Sequence, residues 1–477
     1  MRINKIKILA VACVASFISC NDARDIEQDG IISEENVWES VEDLQLGLNG
    51  AYGAYNPEGA INFNAIFTDN IKRGASNNGQ GQGLYNFNLI PGTTEATGIW
   101  TGRYSAINRV NRVLEGVEDL EYDNSSDQEE EDEIKAELLA LRALSHLDLF
   151  MYYTEDYSDP NGLAVPIMDF VPEITIQPTR NTVSETLEFI KNDLNEAAQL
   201  IGNPEEGSFF INGNTIKAIQ ARIALIEGDY PTAISLGEEL VGTYPLSGQT
   251  EYEEMYQDLV PGESIFTVGR GLDDSEVVGL FYFNEPSLDG DPYLEVSNGL
   301  FNELQDGDVR KDVIIGSESV IVGENSDQNI ILIDKYPGSD AGVRINDIKW
   351  IRSSEMQLIV AEAKARSNDL AGAATAIKEL RDARFDSNTT APSYSNLNAA
   401  LQDILEERRL EFAFEGQRYL DIKRIGKDIN AGITRNETDC ASFSAPCGLP
   451  RSSFKFTLPI PQVELNANGA INQNNGY

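Results

Sequence analysis

The sequence predicts a mainly α-helical protein, a superhelix of tetratricopeptide-like helical hairpins with long irregular loop insertions and a few short strands. Three observations predict this fold. Apolar residues recur at helical spacing over much of the chain, and two pairs of such segments flank tight turns with alanine-rich faces. Several long stretches rich in Gly, Asn, Asp and Pro lack any helical period, which is typical of loops.

The helices follow from their apolar stripes, and Ser33 is the expected N-cap of the first one. In chain order they are predicted at 37–54, 98–118, 131–153, 183–201, 214–228, 230–242, 349–366, 368–386 and 397–425. We group them into a scaffold covering about 37–54, 98–154, 183–243 and 349–426. The pairs 214–242 and 349–386 are the hairpins, because alanines such as Ala221 and Ala363 allow two helices to approach closely.

The remaining segments form the irregular regions, which we place at about 55–97, 155–182, 244–348 and 427–477. Alternating apolar residues predict short strands at 264–268 and 330–333. Long ordered loops on a rigid scaffold are where binding residues usually lie. The sequence therefore predicts a helical platform, residues 37–477, that carries its binding site on loops.

The composition excludes several classes of function. Lys and Arg total 36 against 78 Asp and Glu, which gives a net charge of −42. Such a surface repels nucleic-acid phosphate, and a single histidine, His146, rules out sites built on two or three histidines. We expect His146 to have a structural role on its helix.

Residues 1–19 read as an export signal, with Arg2, Lys5 and Lys7 before a short apolar run. The run ends at Ser19-Cys20 and resembles the lipobox of bacterial lipoproteins, in which Cys20 would be lipidated after cleavage. Plain secretion is the alternative. Residues 20–36 would then form the lipidated end and an acidic tether.

Two cysteines remain in the mature domain. Cys440 and Cys447 are separated by six residues, and in an exported protein they most simply form a local disulfide. Two free thiols are the alternative, and a zinc site lacks further ligands nearby.

One motif carries a specific resemblance. Residues 406–426 read EERRLEFAFEGQRYLDIKRIG, which resembles the SusD/RagB family pattern ERRxELxFEGxRxxDLxRxG. The segment 458–461, LPIP, and the ending 473–477, QNNGY, are similar to the close of that family, with Asn475 where the family has proline. The helix near 136–149 resembles a further family segment, so the similarity spans nearly the whole mature chain.

The resemblance implies a lipoprotein of the outer membrane of Bacteroidetes-type bacteria that faces the cell exterior. Such proteins bind nutrient, most often oligosaccharide or polysaccharide, and pass it to a TonB-dependent, SusC-like transporter. Some members bind peptide, which is the second hypothesis here. The family is not enzymatic, so we expect no catalytic residues and no cofactor.

Within the motif, Glu407 and Glu411 are like charges one helical turn apart, which is unfavourable on an isolated helix. We interpret them as parts of a partly buried ion network shared with Arg408, Arg409 and Arg418. The alternative is a glycoside hydrolase in which Glu407 pairs with Glu411 or Glu415. Neighbouring arginines would lower carboxyl pKa values there, so this alternative is disfavoured.

Saccharide sites combine aromatic faces with amide and charged groups. Two loops, 69–100 and 281–293, are rich in both types and have no helical role. The predicted ligand-binding residues are Asp69, Asn70, Lys72, Arg73, Asn77, Asn78, Tyr85, Phe87, Trp100, Tyr282, Phe283, Asn284 and Tyr293. For any single aromatic residue among them, packing within the protein is the alternative.

The charge balance favours a neutral glycan. A polyanion would need a local cluster of cations, for which Lys72, Arg73 and Arg103 are the candidates. A Ca²⁺ site using Asp156 and Asp159 is a further possibility, but a turn accounts for these residues equally well.

Overall fold

The computed structural model describes residues 37–120, 125–202, 207–271, 292–340, 342, 344–441 and 443–477. The predicted signal peptide, Cys20 and the tether at 20–36 lie outside these residues, and so do Tyr282, Phe283 and Asn284. No helix within the described ranges combines the length and apolarity needed to cross a membrane.

The helical scaffold is confirmed, with one large core running through it. Its long helices are α1 Val41–Ala54, α2 Glu58–Phe67, α4 Thr94–Asp119, α5 Ser125–Tyr153, α6 Val183–Leu200, α7 Gly213–Glu227, α8 Tyr230–Thr243, α12 Ser353–Arg366, α13 Leu370–Arg384, α14 Leu397–Glu411 and α15 Arg418–Ile429. Short helices are α3 Gln82–Tyr85, α9 Gln249–Tyr256, α10 Asn298–Glu303, α11 Val309–Ile314, α16 Glu437–Ala441 and α17 Gln462–Ala467.

Three two-stranded antiparallel sheets complete the fold. Their strands are β1 Ile71–Arg73, β2 Ser264–Val268, β3 Leu294–Val296, β4 Ile348–Arg352, β5 Ile433–Thr434 and β6 Gly448–Leu449. The pairs are β1 with β3, β2 with β4, and β5 with β6. The strand predicted at 264–268 is therefore confirmed, whereas residues 330–333 form only isolated bridges.

Both predicted hairpins are present. In the first, α7 ends at Gly228 in the left-handed conformation (φ 80°), and the Asp229 side chain caps α8 by accepting a hydrogen bond from the Thr232 N–H. Gly237 of α8 faces α12, where any Cβ would collide with the side chain of Val360. Small residues therefore bring the two hairpins into direct contact, as the alanine pattern indicated.

Several predicted boundaries were wrong. The helix predicted at 397–425 is two helices, because Phe414 (φ 65°) and Gly416 (φ 81°) adopt left-handed backbone between them. Residues 349–352 are strand rather than helix. The first helix begins at Val41 and is capped by Ser40, whose Oγ accepts from the Asp43 N–H at 3.3 Å; the predicted cap, Ser33, lies outside the described residues. The irregular region 55–97 also contains α2, a buried helix of ten residues.

Buried cations from distant parts of the chain cap two helices that lack basic residues in their last turn. Arg435 donates to the carbonyl oxygens of Phe67 (3.1 Å) and Thr68 (2.8 Å) at the end of α2. Lys423 donates to those of Met151 (2.7 Å) and Thr154 (2.6 Å) at the end of α5. Positive charge there satisfies the free carbonyls and complements the helix dipole.

The predicted ion network around the motif helix is confirmed, but with different partners. Glu411 is fully buried and contacts Arg384 (2.9 Å), Arg352 (2.8 Å) and Arg310 (3.4 Å). Glu407 contacts the same Arg310 at 2.6 Å. These arginines come from other elements, which is how two like charges on one helix are both neutralised.

The arginines of the motif itself pair elsewhere. Arg408 binds Asp421 at 2.6 Å, and Arg418 binds Asp69 at 2.8 Å. Arg409 donates to the backbone carbonyl of Asp69 at 2.7 Å. The motif therefore ties the C-terminal helices α14 and α15 to the segment that leads into β1.

Candidate functional site

The first loop predicted to bind ligand lies beside residues 292–293, the described end of the second predicted loop. Strand β1 follows Asn70, and it pairs with β3 in the register Ile71 to Val296 and Arg73 to Leu294. Beyond the strands, the backbone N–H of Gly74 donates to the carbonyl of Tyr293 at 3.0 Å. Residues more than 200 positions apart in sequence therefore meet at one edge.

Gly74 is required for this junction. A Cβ at this position would collide with the backbone carbonyl oxygen of Pro292. The Asn77 side chain then reinforces the contact, since its Nδ2 donates to the carbonyl oxygens of Tyr293 and Gln80, each at 2.9 Å. The sequence thus fixes how closely the loop 74–81 approaches residue 293.

The disulfide loop is the third component. Cys440 and Cys447 form the predicted disulfide, with Cα atoms 5.3 Å apart. The loop that they close carries Phe443, which is partly exposed. The guanidinium of Arg73 lies 4.3 Å from the centre of the Phe443 ring. Strand β1 and the disulfide loop therefore share a cation–π contact.

Buried amides hold a fourth loop, residues 323–328, against the same face. Asn298 Nδ2 donates to Asp439 Oδ1 at 2.6 Å, and Asn329 Nδ2 donates to Asn298 Oδ1 at 2.8 Å. Nearer the surface, Asn436 Nδ2 donates to Asn325 Oδ1 at 2.6 Å. These bonds connect the start of α10, the loop 323–328 with the adjoining Asn329, and α16 with the preceding Asn436.

We call the surface formed by loops 74–81, 292–293, 323–328 and 436–447 the loop face. An open depression of about 430 Å³ lies on it, lined by Asp327, Glu437, Thr438 and Ala441. The rings of Tyr293 and Phe443 are partly exposed, and Asn78 is exposed. The face thus offers aromatic surface, amides and carboxylates together.

Most of the predicted ligand-binding residues are buried. In the described structure the side chains of eight of them are enclosed: Asp69, Asn70, Lys72, Arg73, Asn77, Tyr85, Phe87 and Trp100. Of these, only Arg73 contacts a part-exposed ring of the loop face. Asn78 and Tyr293 are accessible to solvent.

The enclosed residues have identifiable structural partners. Burial by itself raises the pKa of Asp69, but Arg409 and Arg418 outweigh it and hold that pKa below its ordinary value. The Arg435 guanidinium lies 3.9 Å from the Tyr85 ring and 4.2 Å from the Phe87 ring.

Trp100 packs against Tyr104 and Tyr153, with ring centres 4.9 Å apart in both pairs. For Tyr85, Phe87 and Trp100, packing within the protein is therefore the correct interpretation.

Phe443 and Asn325 belong to the loop face but were absent from the predicted site. The signal for Phe443 was available, because an aromatic residue inside a short disulfide loop has little opportunity to join a core. Asn325 has positive φ (53°), a backbone state that asparagine tolerates better than most residues. Neither signal identifies the loop that Phe443 or Asn325 contacts in the folded protein.

The proposed cation cluster does not form. Lys72 pairs with Glu295 at 3.1 Å and Arg103 pairs with Asp148 at 2.7 Å, both inside the protein. Arg73 has no carboxylate within ion-pair distance among the described residues, and its Nε donates to Asn77 Oδ1 at 3.0 Å. The loop face therefore carries one enclosed cation rather than a polyanion site.

The motif carboxylates are not arranged for acid–base catalysis. Glu407, Glu411 and Glu415 are each at most 4% exposed. Burial would raise the pKa of Glu411, but Arg384, Arg352 and Arg310 hold it well below its ordinary value. A general acid needs a raised pKa and access to substrate.

His146, Asp156 and Asp159 make the following contacts within the protein. His146 is buried between the Arg142 carbonyl oxygen and the Met168 N–H, and burial lowers its pKa to about 3. Asp156 accepts from the Ser158 N–H (2.9 Å), and Asp159 Oδ1 accepts from the Asn161 N–H (3.1 Å), as in turns. Among the residues that the structure describes, no group of three or more metal-ligating side chains occurs.

Comparison with known proteins gives a consistent picture. Residues 321–477 match the SusD family, and residues 25–226 match a family described as "Starch-binding associating with outer membrane". A SusD-like protein, P38, of Formosa agariphila is 24% identical over 86% of this chain and 89% of its own length.

Solved structures of SusD-like proteins have a similar fold. A SusD superfamily protein of Bacteroides thetaiotaomicron is 26% identical, with a TM-score of 0.76 over 91% of this chain and 99% of its own. A laminarin-binding SusD-like protein is 21% identical, with a TM-score of 0.69 over 92% of this chain and 100% of its own. The second likeness shows the fold alone. Two of these descriptions name glycan binding, of starch for the family that matches residues 25–226 and of laminarin for the second solved structure.

Proposed function

Because the chain belongs to the SusD/RagB family, we propose that it is a glycan-binding protein that captures oligosaccharide or polysaccharide at the loop face without cleaving it. The observation that supports this site best is the junction at Gly74. It joins the loop 74–81 to Tyr293, beside the disulfide loop that carries Phe443.

The chemistry of the face suits a sugar. A pyranose ring has an apolar face that packs on an aromatic ring, and hydroxyl groups that both donate and accept hydrogen bonds. Tyr293 and Phe443 supply ring surface, and Asn78 supplies an exposed amide. Carboxylates of Asp327 and Glu437 line the depression and can accept from hydroxyl groups.

We further propose that Cys20 carries a lipid that anchors the protein to the outer membrane, facing outward. A SusC-like, TonB-dependent transporter is the proposed recipient of the glycan. The lipobox-like sequence at 8–20 and the outer-membrane description of the matching family support the anchor, and the match to the SusD family supports the proposed transporter. Mass determination of the mature N-terminus and co-purification from native membranes test them.

Isothermal titration calorimetry with laminarin- and starch-derived oligosaccharides tests the binding site. We expect Phe443→Ala to weaken binding by about 3- to 10-fold, which corresponds to one aromatic contact. Phe209→Ala is the matched control, because Phe209 is 50% exposed and contributes nothing to the loop face. Equal affinities for both variants would refute the assignment.

Experiments on the same purified protein distinguish the two alternatives, peptide binding and glycan hydrolysis. If calorimetry detected binding of peptides and no binding of glycans, the result would favour the peptide-binding hypothesis. Accumulation of reducing ends during incubation with a glycan would favour a hydrolase. Our proposal expects neither result.

A further inference from the structure

A second cavity differs from the loop face in its lining and its charge. It has a volume of about 200 Å³ and lies where the loop after α5, the turn between α7 and α8, and helix α15 meet. Five cations line it: Arg366, Lys423, Arg424, Lys427 and Arg451. In a chain with a net charge of −42, this concentration of positive charge is unusual. We call this cavity the basic pocket.

The three carboxylates of the pocket wall are already engaged. Asp156 pairs with Lys427 at 2.7 Å, and Asp428 pairs with Arg366 at 2.7 Å. Glu155 accepts from the backbone N–H and the side-chain amide of Asn475, each at 2.7 Å. Of the three remaining cations, Arg424 pairs with Glu362, which lies outside the pocket wall, and none of the three wall carboxylates is within ion-pair distance of Lys423 or Arg451.

Lys423 and Arg451 are the cations that lack a carboxylate partner among the described residues. Lys423 is 3% exposed, and its ammonium donates to backbone carbonyls at the end of α5. Arg451 donates through Nη2 to the Lys423 carbonyl oxygen at 2.7 Å, and its buried Nε has no hydrogen-bond partner.

Two like charges in one enclosed space raise the free energy of the unliganded protein. Burial lowers the pKa of Lys423 well below its ordinary value, and the nearby Arg451 lowers it further. A bound anion would accept from the part-exposed Arg451 guanidinium and reduce the repulsion between the two cations. Guanidinium groups favour planar carboxylates and tetrahedral oxyanions, because their donors form a fork.

The walls also fit a sugar that carries such a group, because Tyr157 and Tyr230 line the same cavity. We propose that the basic pocket binds the anionic group of an acidic saccharide, a sulfate ester or a uronate carboxylate, at Arg451. The anion site does not depend on the proposed function. The assignment of the anion to a saccharide does rest on it. Because salt screens fields beyond about 8 Å, the acidic surface does not prevent this short-range contact.

The test is calorimetric titration of the full mature protein with sodium sulfate, a sulfated oligosaccharide, a uronate oligosaccharide and a neutral oligosaccharide at constant ionic strength. We expect Arg451→Gln to weaken binding of the anionic probes by about 10-fold or more, the loss for a charged hydrogen bond. Arg109→Gln is the matched control, since Arg109 is exposed on α4 and lies outside the pocket. The affinity of the Arg109→Gln variant for the anionic probes should equal that of the wild type.

A second variant keeps the proposal testable if Arg451→Gln does not fold. Lys427→Gln removes an exposed cation at the rim and should weaken the same probes several-fold while the circular dichroism spectrum stays unchanged. Competition between sulfate and the sulfated sugar would assign the site to saccharide. Binding of sulfate alone would retain the anion site and assign it to a free anion.

Absence of binding by all anionic probes, or equal binding by wild type and Arg451→Gln, would overturn the inference. Neither result bears on Phe443, so the proposed function is tested separately. Conversely, loss of neutral-glycan binding in Phe443→Ala should leave sulfate binding at the basic pocket intact.

Discussion

Replacement of Glu411 by glutamine is the most informative perturbation of the scaffold. Both carboxylate oxygens are used: Oε1 lies 2.8 Å from Arg352 Nη1 and 2.9 Å from Arg384 Nη2, and Oε2 lies 3.0 Å from Arg384 Nε. The amide has nearly the same shape. It must nevertheless place an NH₂ group against a guanidinium, whichever way it is turned.

The expected magnitude follows from burial. Glu411, Arg352 and Arg384 have side chains that are at most 1% exposed, so water cannot replace the lost partner. Breaking a buried ion pair by removing one partner typically costs about 3–5 kcal/mol, because the remaining charge is uncompensated. We expect Glu411→Gln to lower the free energy of unfolding by that amount.

Urea unfolding followed by far-ultraviolet circular dichroism measures this change. The matched control is Glu239→Gln, because Glu239 pairs with Lys217 at 2.6 Å and both side chains are substantially exposed. An exposed pair contributes less than about 1 kcal/mol. If Glu411→Gln shifted the unfolding midpoint no more than Glu239→Gln, the buried network would not stabilise the fold as we argue.

Three further predictions concern pH and the loop face. The pKa of His146, about 3 when folded through burial and about 6.5 when unfolded, makes the unfolded chain bind the extra proton, so stability should fall as the pH drops from about 6.5 towards 3. NMR of this single imidazole checks it, and a midpoint near 6.5 in the folded protein would contradict it. Gly74→Ala should separate loop 74–81 from Pro292 and weaken glycan binding several-fold in calorimetry while the helical content stays unchanged; unaltered affinity would show that the junction is unimportant. Replacing Cys440 and Cys447 by serine opens a loop with a sequence separation of 7 and should lower stability by about 2.5 kcal/mol in urea unfolding; an unchanged midpoint would argue against the bond.

The helical scaffold was predictable because its signals are local. Alanine-flanked turns and apolar stripes located both hairpins, and the structure shifts their ends by only a few residues. The break at Phe414 and Gly416 was missed, because the helical pattern continues across it and only the backbone reveals the left-handed residues. The strand at 349–352 was missed because its partner β2 lies about 85 residues earlier.

The site was predictable at the level of loops but not of side chains. The stretches 69–100 and 281–293 were chosen for composition, and Gly74 and Tyr293 do lie together. Composition does not tell which aromatic residue enters the core, however, and Tyr85 and Trp100 both do. That outcome depends on contacts such as that of Arg435 with Tyr85, which joins residues 350 positions apart.

The crystal structure of the protein with a bound oligosaccharide tests the central claim most directly. Our account predicts a sugar ring packed within about 4 Å of the Phe443 or Tyr293 ring, with its hydroxyl groups bonded to side chains of the loop face. A glycan bound to another surface at full occupancy, with the loop face empty, would contradict it.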